Sequence, residues 1–254
     1  MSPILRVTAG LLAATIASAA AAQNSVTVGL GPQSAPAYFG SDQNEVGVTG
    51  NFSIQQLNFG PLRMGGSEGG AATGVGFTGS FRYIGQRKAA DYPELTGLAD
   101  LDAALEIGGG LTYTADNFEV FGLARYGVMG HSSLTGDLGA NAILRPTDQL
   151  TLRVGPRLFF GDDDYAQRYF GVSATEAGAN QAAGYSLSTY DASGGLLSRG
   201  IEVSADYAFN ADNGVTAMVR YDEYLNGAAD SPIVQQGSND AVTAAILLTH
   251  RFNF

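Results

Sequence analysis

The last residues of the chain alternate between apolar and polar side chains. Residues 241–254 read AVTAAILLTHRFNF. One register of this segment is largely apolar and holds Val242, Ala244, Ile246, Leu248, His250, Phe252 and Phe254. The other register becomes polar towards its end, with Thr249, Arg251 and Asn253. A period of two places successive side chains on opposite faces, so the segment is predicted to be an amphipathic β-strand and not a helix.

The same alternation recurs along most of the chain. Strands are predicted to start near residues 25, 46, 73, 102, 118, 134, 149, 200, 214 and 241. The segment 57–66 is a possible further strand, weakened by Pro61, and 184–194 is a candidate for a twelfth. These segments predict an all-β fold. Bacterial barrels close with an even number of strands, so a count of ten or twelve is expected. The fold is predicted to be a transmembrane antiparallel β-barrel of ten to twelve strands, with twelve favoured.

A soluble β-sandwich or a lipocalin-like barrel would show the same alternation. Aromatic residues near predicted strand ends, such as Tyr83, Tyr126 and Phe160, favour the membrane barrel, because its interfaces carry aromatic girdles. The terminal aromatic also resembles the signal that hands outer-membrane proteins to the barrel assembly machinery. We therefore interpret Phe252 and Phe254 as an assembly signal. The apolar face of the last strand is expected to contact outer-membrane lipid.

Long charged side chains of both signs occupy the polar register of the predicted strands. In a narrow barrel they would point inwards, where an unpaired charge is costly. The sequence therefore predicts a network of paired charges in the lumen. Its predicted members are Glu106, Arg125, Arg153, Arg157, Glu202, Asp206, Arg220 and Asp222.

Composition and the first residues indicate an exported protein. The N-terminus has Arg6, an apolar run and small residues up to Ala22, so 1–22 is predicted to be a signal peptide and 23–254 the barrel. The absence of cysteine excludes disulfides and thiolate metal sites, and two histidines leave little for zinc. A net charge of −11 without a basic cluster argues against nucleic acid as a partner. No cofactor is expected.

The long stretch 161–199 departs from the hairpin pattern. Ser173 followed by Glu176 fits a capping box, so a helix is predicted to begin there. The stretch could fold into the lumen, cover the barrel mouth or form a solvated surface loop. Its acidic run 162–164 could bind a hard cation, but it lacks the spacing of a calcium loop, and a solvated acidic loop is favoured.

One cluster could carry nucleophilic chemistry. His131 and Ser133 lie two residues apart, with Asp137 as the nearest acid. Outer-membrane lipid hydrolases use a histidine, a serine and an acid at the membrane surface. The surrounding MGHSSLTGD, however, is typical of a short hairpin tip between two strands. The pattern therefore favours a turn over a catalytic site, and we expect no enzyme.

Three segments carry a resemblance to a known family. They are APAYFGSD at 35–42, the long segment 125–173 from RYGVMGHSS to YFGVS, and AADSPIVQQGSND at 228–240. Together they resemble the MipA/OmpV family of outer-membrane proteins. The resemblance implies an outer-membrane barrel. Some members are described as scaffolds that join a lytic transglycosylase to a peptidoglycan synthase, and others as porin-like.

The sequence thus leaves three classes of function open. The expected one is a non-catalytic outer-membrane scaffold, with a lytic transglycosylase and a peptidoglycan synthase as partners implied by the resemblance. The alternative is a narrow channel for small solutes. A lipid hydrolase that uses His131 and Ser133 is the least favoured. A small barrel with many inward charges argues against a wide pore.

Overall fold

The computed structural model describes residues 25–59, 62–65 and 73–253. Eleven strands form one antiparallel sheet in the order β3-β2-β1-β11-β10-β9-β8-β7-β6-β5-β4. The strands are β1 (Ser25–Pro36), β2 (Asn44–Phe59), β3 (Leu62–Gly65), β4 (Gly74–Ile84), β5 (Ala104–Thr114), β6 (Phe118–Met129), β7 (Leu134–Leu144), β8 (Leu150–Gly161), β9 (Gly195–Ala208), β10 (Asn213–Tyr224) and β11 (Asp240–Asn253).

The strand count lies within the predicted range of ten to twelve. All predicted starts except that of β9 lie within two residues of the observed ones. The doubtful segment 57–66 contributes the end of β2 and the four-residue β3, and within the described residues the other ten strands each have eleven residues or more. The proposed twelfth strand at 184–194 was wrong. That segment forms only a single bridge between Tyr190 and Val172, because it packs on helices and not on the sheet.

The two ends of the barrel differ in the length of their connections. Short turns at 115–117, 145–149 and 209–212 lie at the end of the barrel where β1 begins and β11 ends. In the last of these turns, the side chain of Asn210 accepts hydrogen bonds from the backbone N–H groups of Asp212 and Asn213. Outer-membrane barrels have short periplasmic turns and longer extracellular loops, which orients the molecule.

The strands separate apolar from charged side chains as their alternation predicts. Val219, Ile246 and Leu248 are more than half exposed on the outer face. Glu106 and Arg157, in the opposite register, are buried inside. A soluble sandwich would hide its apolar face between two sheets, whereas this sheet presents that face outwards and encloses its charges. This arrangement is typical of a transmembrane barrel.

The barrel closes where β2 and β4 come side by side, a line that we call the seam. Phe52 of β2 and Phe81 of β4 stack there with ring centroids 5.9 Å apart. Within 44–59 and 74–84, the described parts of these two strands, no backbone ladder joins one strand to the other. Side-chain packing therefore carries this part of the closure.

The long connections at the extracellular end fold together into a structure that we call the cap, formed by residues 37–43, 85–103, 162–194 and 225–239. It contains short 3₁₀ turns at Ala89–Asp91 and Pro93–Leu95, and the helices α1 (Asp163–Phe170), α2 (Ala174–Ala182), α3 (Asn226–Ala229) and α4 (Pro232–Gln236). None of the helices in the described part of the chain is long and apolar enough to cross a membrane.

Apolar packing holds the cap together. Leu95, Phe170, Leu187 and Ile233, one or more from each of its three longest connections, are at most 1% exposed. Ser231 donates a hydrogen bond to the backbone carbonyl of Phe170 at 2.6 Å, which ties α1 to the start of α4. The cap is therefore a packed layer and not a set of separate loops.

Candidate functional site

Glu106 on β5 is the centre of the charge cluster under the cap. Its side chain is fully buried. Arg82 lies 2.7 Å from its Oε1, and Arg125 lies 3.2 Å from its Oε2. The hydroxyl of Thr135 donates a further hydrogen bond at 2.9 Å. A buried carboxylate is tolerated when it has such partners, so these contacts explain how Glu106 stays inside the barrel.

Asp137 on β7 extends this cluster across the lumen. Its Oδ2 accepts a hydrogen bond from Arg125. Its Oδ1 lies 3.8 Å from Arg220 of β10, which in turn pairs with Asp222 at 2.7 Å. The ion pairs thus connect three parts of the wall, at β4–β5, at β6–β7 and at β10.

Two further pairs line β8 and β9. Arg157 lies 2.9 Å from Glu202 and donates a second bond to Asn141 at 2.8 Å. Arg153 pairs with Asp206 nearer the periplasmic end, where both side chains are about one-third exposed. The interior therefore holds arginines and carboxylates in alternating contact along much of its height.

The structure places all eight residues of the predicted network on the inner face, each beside an opposite charge. It also adds members that the sequence analysis did not place in the network, namely Arg82, Asp137 and His131. Arg82 lies in the inward register of β4, so the alternation along that strand could have predicted its membership of the network. Asp137 was considered only as a catalytic acid, because its partners come from strands whose pairing register a single sequence does not reveal.

His131, in the loop between β6 and β7, is directed into this network. Its Nδ1 accepts a hydrogen bond from the backbone N–H of Ser133, and its Nε2 lies 3.3 Å from Glu106. Burial lowers the pKa of this imidazole, and Glu106 offsets only part of that effect. Neither ring nitrogen is directed at a serine hydroxyl, so the arrangement lacks the nucleophile–base contact of a hydrolase.

Helix α1 of the cap packs against the same charge cluster. Tyr165 is fully buried, and its hydroxyl receives a hydrogen bond from Arg82 at 3.3 Å. Its ring packs on Phe159, Tyr169 and His131, with centroid separations of 5.6, 4.6 and 5.6 Å. Tyr165 therefore connects the cap to the Glu106 cluster.

Comparison with known proteins gives the chain its family. A family model described as "MltA-interacting protein MipA" matches residues 28–252. The chain belongs to the MipA family. A MipA-family chain whose strands turn an apolar face outwards and enclose charges is a β-barrel of the bacterial outer membrane. A search of curated proteins gave no match.

Solved structures similar to this MipA-family barrel are also outer-membrane proteins. An outer-membrane channel from Pseudomonas putida F1 is 9% identical, with 93% of this chain and 97% of that chain covered and a TM-score of 0.43. Neisserial surface protein A is 10% identical, with 91% and 97% covered and a TM-score of 0.30. The channel DcaP of Acinetobacter baumannii is 8% identical, with 92% and 99% covered and a TM-score of 0.35.

The acidic run 162–164 has a structural role in the MipA-family barrel. Asp162 is the N-cap of α1 and accepts hydrogen bonds from the backbone N–H groups of Tyr165 and Leu134. Asp163 accepts one from Gly194 at 2.8 Å. Within the described residues, no three His, Asp or Glu side chains are grouped so that they could hold a metal ion. The predicted capping box of Ser173 and Glu176 is confirmed at the start of α2.

The predicted assembly signal is described only in part. Phe252 is 51% exposed on the outer face of β11, where its ring packs against His250 with centroids 4.5 Å apart. Phe254 lies outside the described residues, as does the predicted signal peptide 1–22. Both assignments stay predictions for the MipA-family barrel.

A cavity of about 350 Å³ lies between the cap and the inner wall of the MipA-family barrel. Its lining combines aromatic and aliphatic side chains of the cap with charged side chains of the strands. The cavity reaches the seam, where Thr49 and Gly50 of β2 and Phe81 and Tyr83 of β4 take part in its wall. The cavity therefore lies at the extracellular end, between the cap and the charged inner wall.

Proposed function

We propose that this protein is a non-catalytic, non-conducting barrel that acts as an interaction scaffold for murein enzymes at the outer membrane. The observation that carries the proposal is the cap. Its helices and turns bury their apolar side chains against one another over the mouth of the barrel. A packed layer of this kind over the mouth supports a barrel whose working surface is on its outside.

The charge cluster supports a closed interior from below. Glu106, Asp137 and their arginines are held by short ion pairs whose members come from different parts of the wall. Opening a water path would separate these pairs or the aromatic contacts of Tyr165. Permanent channels keep their lumen hydrated, whereas paired charges cross this interior below the cavity.

The family description supplies the class of partner. It names a protein that interacts with MltA, and the resemblance noted from the sequence adds a lytic transglycosylase and a peptidoglycan synthase. Enzymes that act on murein work in the periplasm. Their contact surface on this barrel would therefore be the short turns at 115–117, 145–149 and 209–212, which lie at the periplasmic end.

A narrow channel for small solutes is the second candidate. The observation that favours it is the charged cavity under the cap, which lies on the axis that a solute would follow. It requires the cap to move away from the Glu106 cluster. Catalysis by His131 and Ser133 has no comparable support, because both ring nitrogens of His131 face other groups.

Conductance in planar bilayers separates the scaffold from the channel. The intact protein should show rare and small conductance. Gly161 and Gly195 are paired at the top of β8 and β9, so residues 162–194 can be replaced by a two-residue turn without moving either strand. This deletion removes α1 and α2 and should raise the conductance sharply. A large, stable conductance of the intact protein would reject the scaffold.

Binding to purified partners tests the other half of the proposal. A lytic transglycosylase and a peptidoglycan synthase, each immobilised, should retain the full-length barrel reconstituted in nanodiscs. Replacing the turns 145–149 and 209–212 by Asn-Gly turns should weaken retention, whereas the 162–194 deletion should not. Retention that depends on the cap and not on the turns would contradict the assigned surface.

A further inference from the structure

The cavity under the cap has five charged side chains in its wall. They are Arg82, Arg87, Glu202, Arg220 and Asp222. Four of them already have an opposite charge within ion-pair distance. Arg82 pairs with Glu106 at 2.7 Å, Glu202 with Arg157 at 2.9 Å, and Arg220 with Asp222 at 2.7 Å. Only Arg87 is left to explain.

Arg87 is a buried cation for which the described residues supply no carboxylate within 4.0 Å. The residue is 6% exposed. Its best contact is a long one, from Nη1 to the backbone carbonyl of Tyr169 at 3.5 Å, and its Nε has no partner among the described residues. The backbone of Arg87 is fixed by hydrogen bonds to Leu101 at 2.9 and 2.8 Å. The side chain is therefore held in place without a counter-ion.

A nearby carboxylate does not fill this role. Glu176 contributes to the field at Arg87, but its two oxygens accept hydrogen bonds from the backbone N–H of Ala99 and from Ser173. Burial lowers the pKa of the Arg87 guanidinium despite that field. A buried charge without a partner is strongly unfavourable, and a planar guanidinium presents a fork that matches a carboxylate.

We propose that the cavity under the cap binds a single-chain amphiphilic carboxylate, of the medium-chain fatty acid type, with its carboxylate on Arg87. Glu202 and Asp222 lie in the same cavity wall, and their negative charge disfavours a doubly charged head group such as a phosphate monoester. Arg87 is the one guanidinium of this wall without an ion pair, which matches one negative charge. The site is independent of whether the barrel binds murein enzymes.

The rest of the cavity wall suits an apolar chain. Phe39, Phe159, Phe170 and Leu197 contribute their side chains to it. The volume of about 350 Å³ is at the lower end of the range for small-molecule pockets, roughly 300–1,000 Å³. An apolar lining with a few placed polar groups, of which only Arg87 lacks an ion pair here, is the usual composition of a small-molecule site.

The seam gives such a ligand a way in from the membrane. The upper part of β2 is open on its outer face, where Val46 is 83% and Val48 64% exposed. A side chain added at Gly47, on the opposite face, would meet no atom within 4 Å. Because the cavity wall includes Thr49 and Gly50 of this strand and Tyr83 of β4, an acyl chain in the outer half of the membrane faces the cavity edge directly.

Equilibrium binding of radiolabelled decanoate to the full-length, delipidated protein in nanodiscs tests the proposal. Wild type should bind decanoate more tightly than three other ligands. Decanol lacks the negative charge, and decyl phosphate carries a larger negative charge. Benzoate has the carboxylate, enters from water and has no acyl chain. Arg87→Met should weaken decanoate binding roughly ten- to a hundredfold, as expected for the loss of a charged hydrogen bond, and leave decanol unchanged. Arg199→Met, at an arginine whose side chain is 61% exposed, is the matched control.

Thermal unfolding supplies a readout that a merely structural role would not produce. Without ligand, Arg87→Met should melt at a higher temperature than wild type, because it removes an uncompensated buried charge. Decanoate should raise the melting temperature of wild type and not that of the variant. If Arg87→Met fails to fold, the binding order is read from Arg87→Lys, which should bind decanoate less tightly than wild type and more tightly than it binds decanol. Equal decanoate binding by wild type and the Arg87 variant, no binding by wild type, or a preference for decyl phosphate or benzoate overturns the proposal.

Discussion

Asp137 on β7 lies 3.8 Å from Arg220 on β10, although β8 and β9 separate their strands in the wall. The pair therefore crosses the interior and does not follow the sheet. On its other side Asp137 accepts a hydrogen bond from Arg125. One carboxylate thus connects two sides of the barrel, and its removal would leave Arg125 with Glu106 alone and Arg220 with Asp222 alone.

Asp137→Asn should lower the free energy of unfolding by about 1.5–3 kcal/mol, the usual contribution of a hydrogen bond to a charged group, because Arg125 and Arg220 keep Glu106 and Asp222. The loss should appear as a lower temperature for the shift from the folded to the unfolded band on semi-native gels. Glu223→Gln is the control, since its partner Arg199 is exposed and such pairs contribute about 0–1 kcal/mol. Similar stabilities of the two variants would show that Asp137 does not hold the walls together.

Val219→Arg should be much more disruptive than Met218→Arg. The two residues are adjacent in the middle of β10, and Val219 is 53% exposed on the outer face, whereas Met218 lines the inner cavity. An arginine near the bilayer midplane costs about 2–4 kcal/mol. The yield of folded protein in outer membranes compares the two variants. Equal yields would mean that the assignment of Val219 to the outer face and Met218 to the inner face is wrong.

The pH dependence of stability should be traceable to His131. Because burial lowers its pKa, the unfolded chain takes up a proton near pH 6.5 before the folded protein does. Stability is therefore fully present above about pH 6.5 and falls as the pH drops below it, by at most about 1.4 kcal/mol per pH unit.

Melting temperatures between pH 5 and pH 8 measure this effect. His131→Asn should flatten the pH profile between about pH 5 and 6.5. His250→Asn should leave it unchanged, because His250 is exposed near the periplasmic end of β11. A profile that is as steep in His131→Asn as in wild type would assign the dependence to other groups.

Removal of the terminal aromatics should impair assembly. Phe254→Ala and Phe252→Ala are both expected to lower the amount of barrel in the outer membrane, as measured by fractionation and heat-modifiable migration. Leu248→Ala is the control, since Leu248 is 68% exposed on the same outer face of β11 but lies away from the chain end. An equal loss for Leu248→Ala would indicate a general need for apolar contact with lipid and not a terminal signal.

The strands were predictable because their signal is local. Alternation along β10 assigns Val219 outwards and Met218 inwards without any knowledge of a partner strand. The capping box at Ser173 is equally local, since its two side chains are three residues apart. Helix α1 was not predicted, although Asp162 at its N-cap is the same kind of signal.

The contacts of the site were less predictable because they join distant parts of the chain. Arg87 contacts Tyr169, 82 positions away, and Arg82 contacts Tyr165, 83 positions away. Their meeting depends on how the cap connections fold across the barrel mouth. A single sequence carries no signal of that arrangement, so a cover over the barrel mouth was one of three alternatives for 161–199, and the cavity beside Glu106 was not predicted.

The contacts within the cap imply an order for the folding steps of the barrel. Its contacts join connections that are far apart in the chain, such as Tyr38 with Glu94 and Ser231 with Phe170. Such contacts form only after the strands between them have paired, because closing long loops first costs entropy. We therefore expect Glu106 and its arginines to meet while the interior of the nascent barrel is still hydrated. The cap would then exclude water from charges that are already paired.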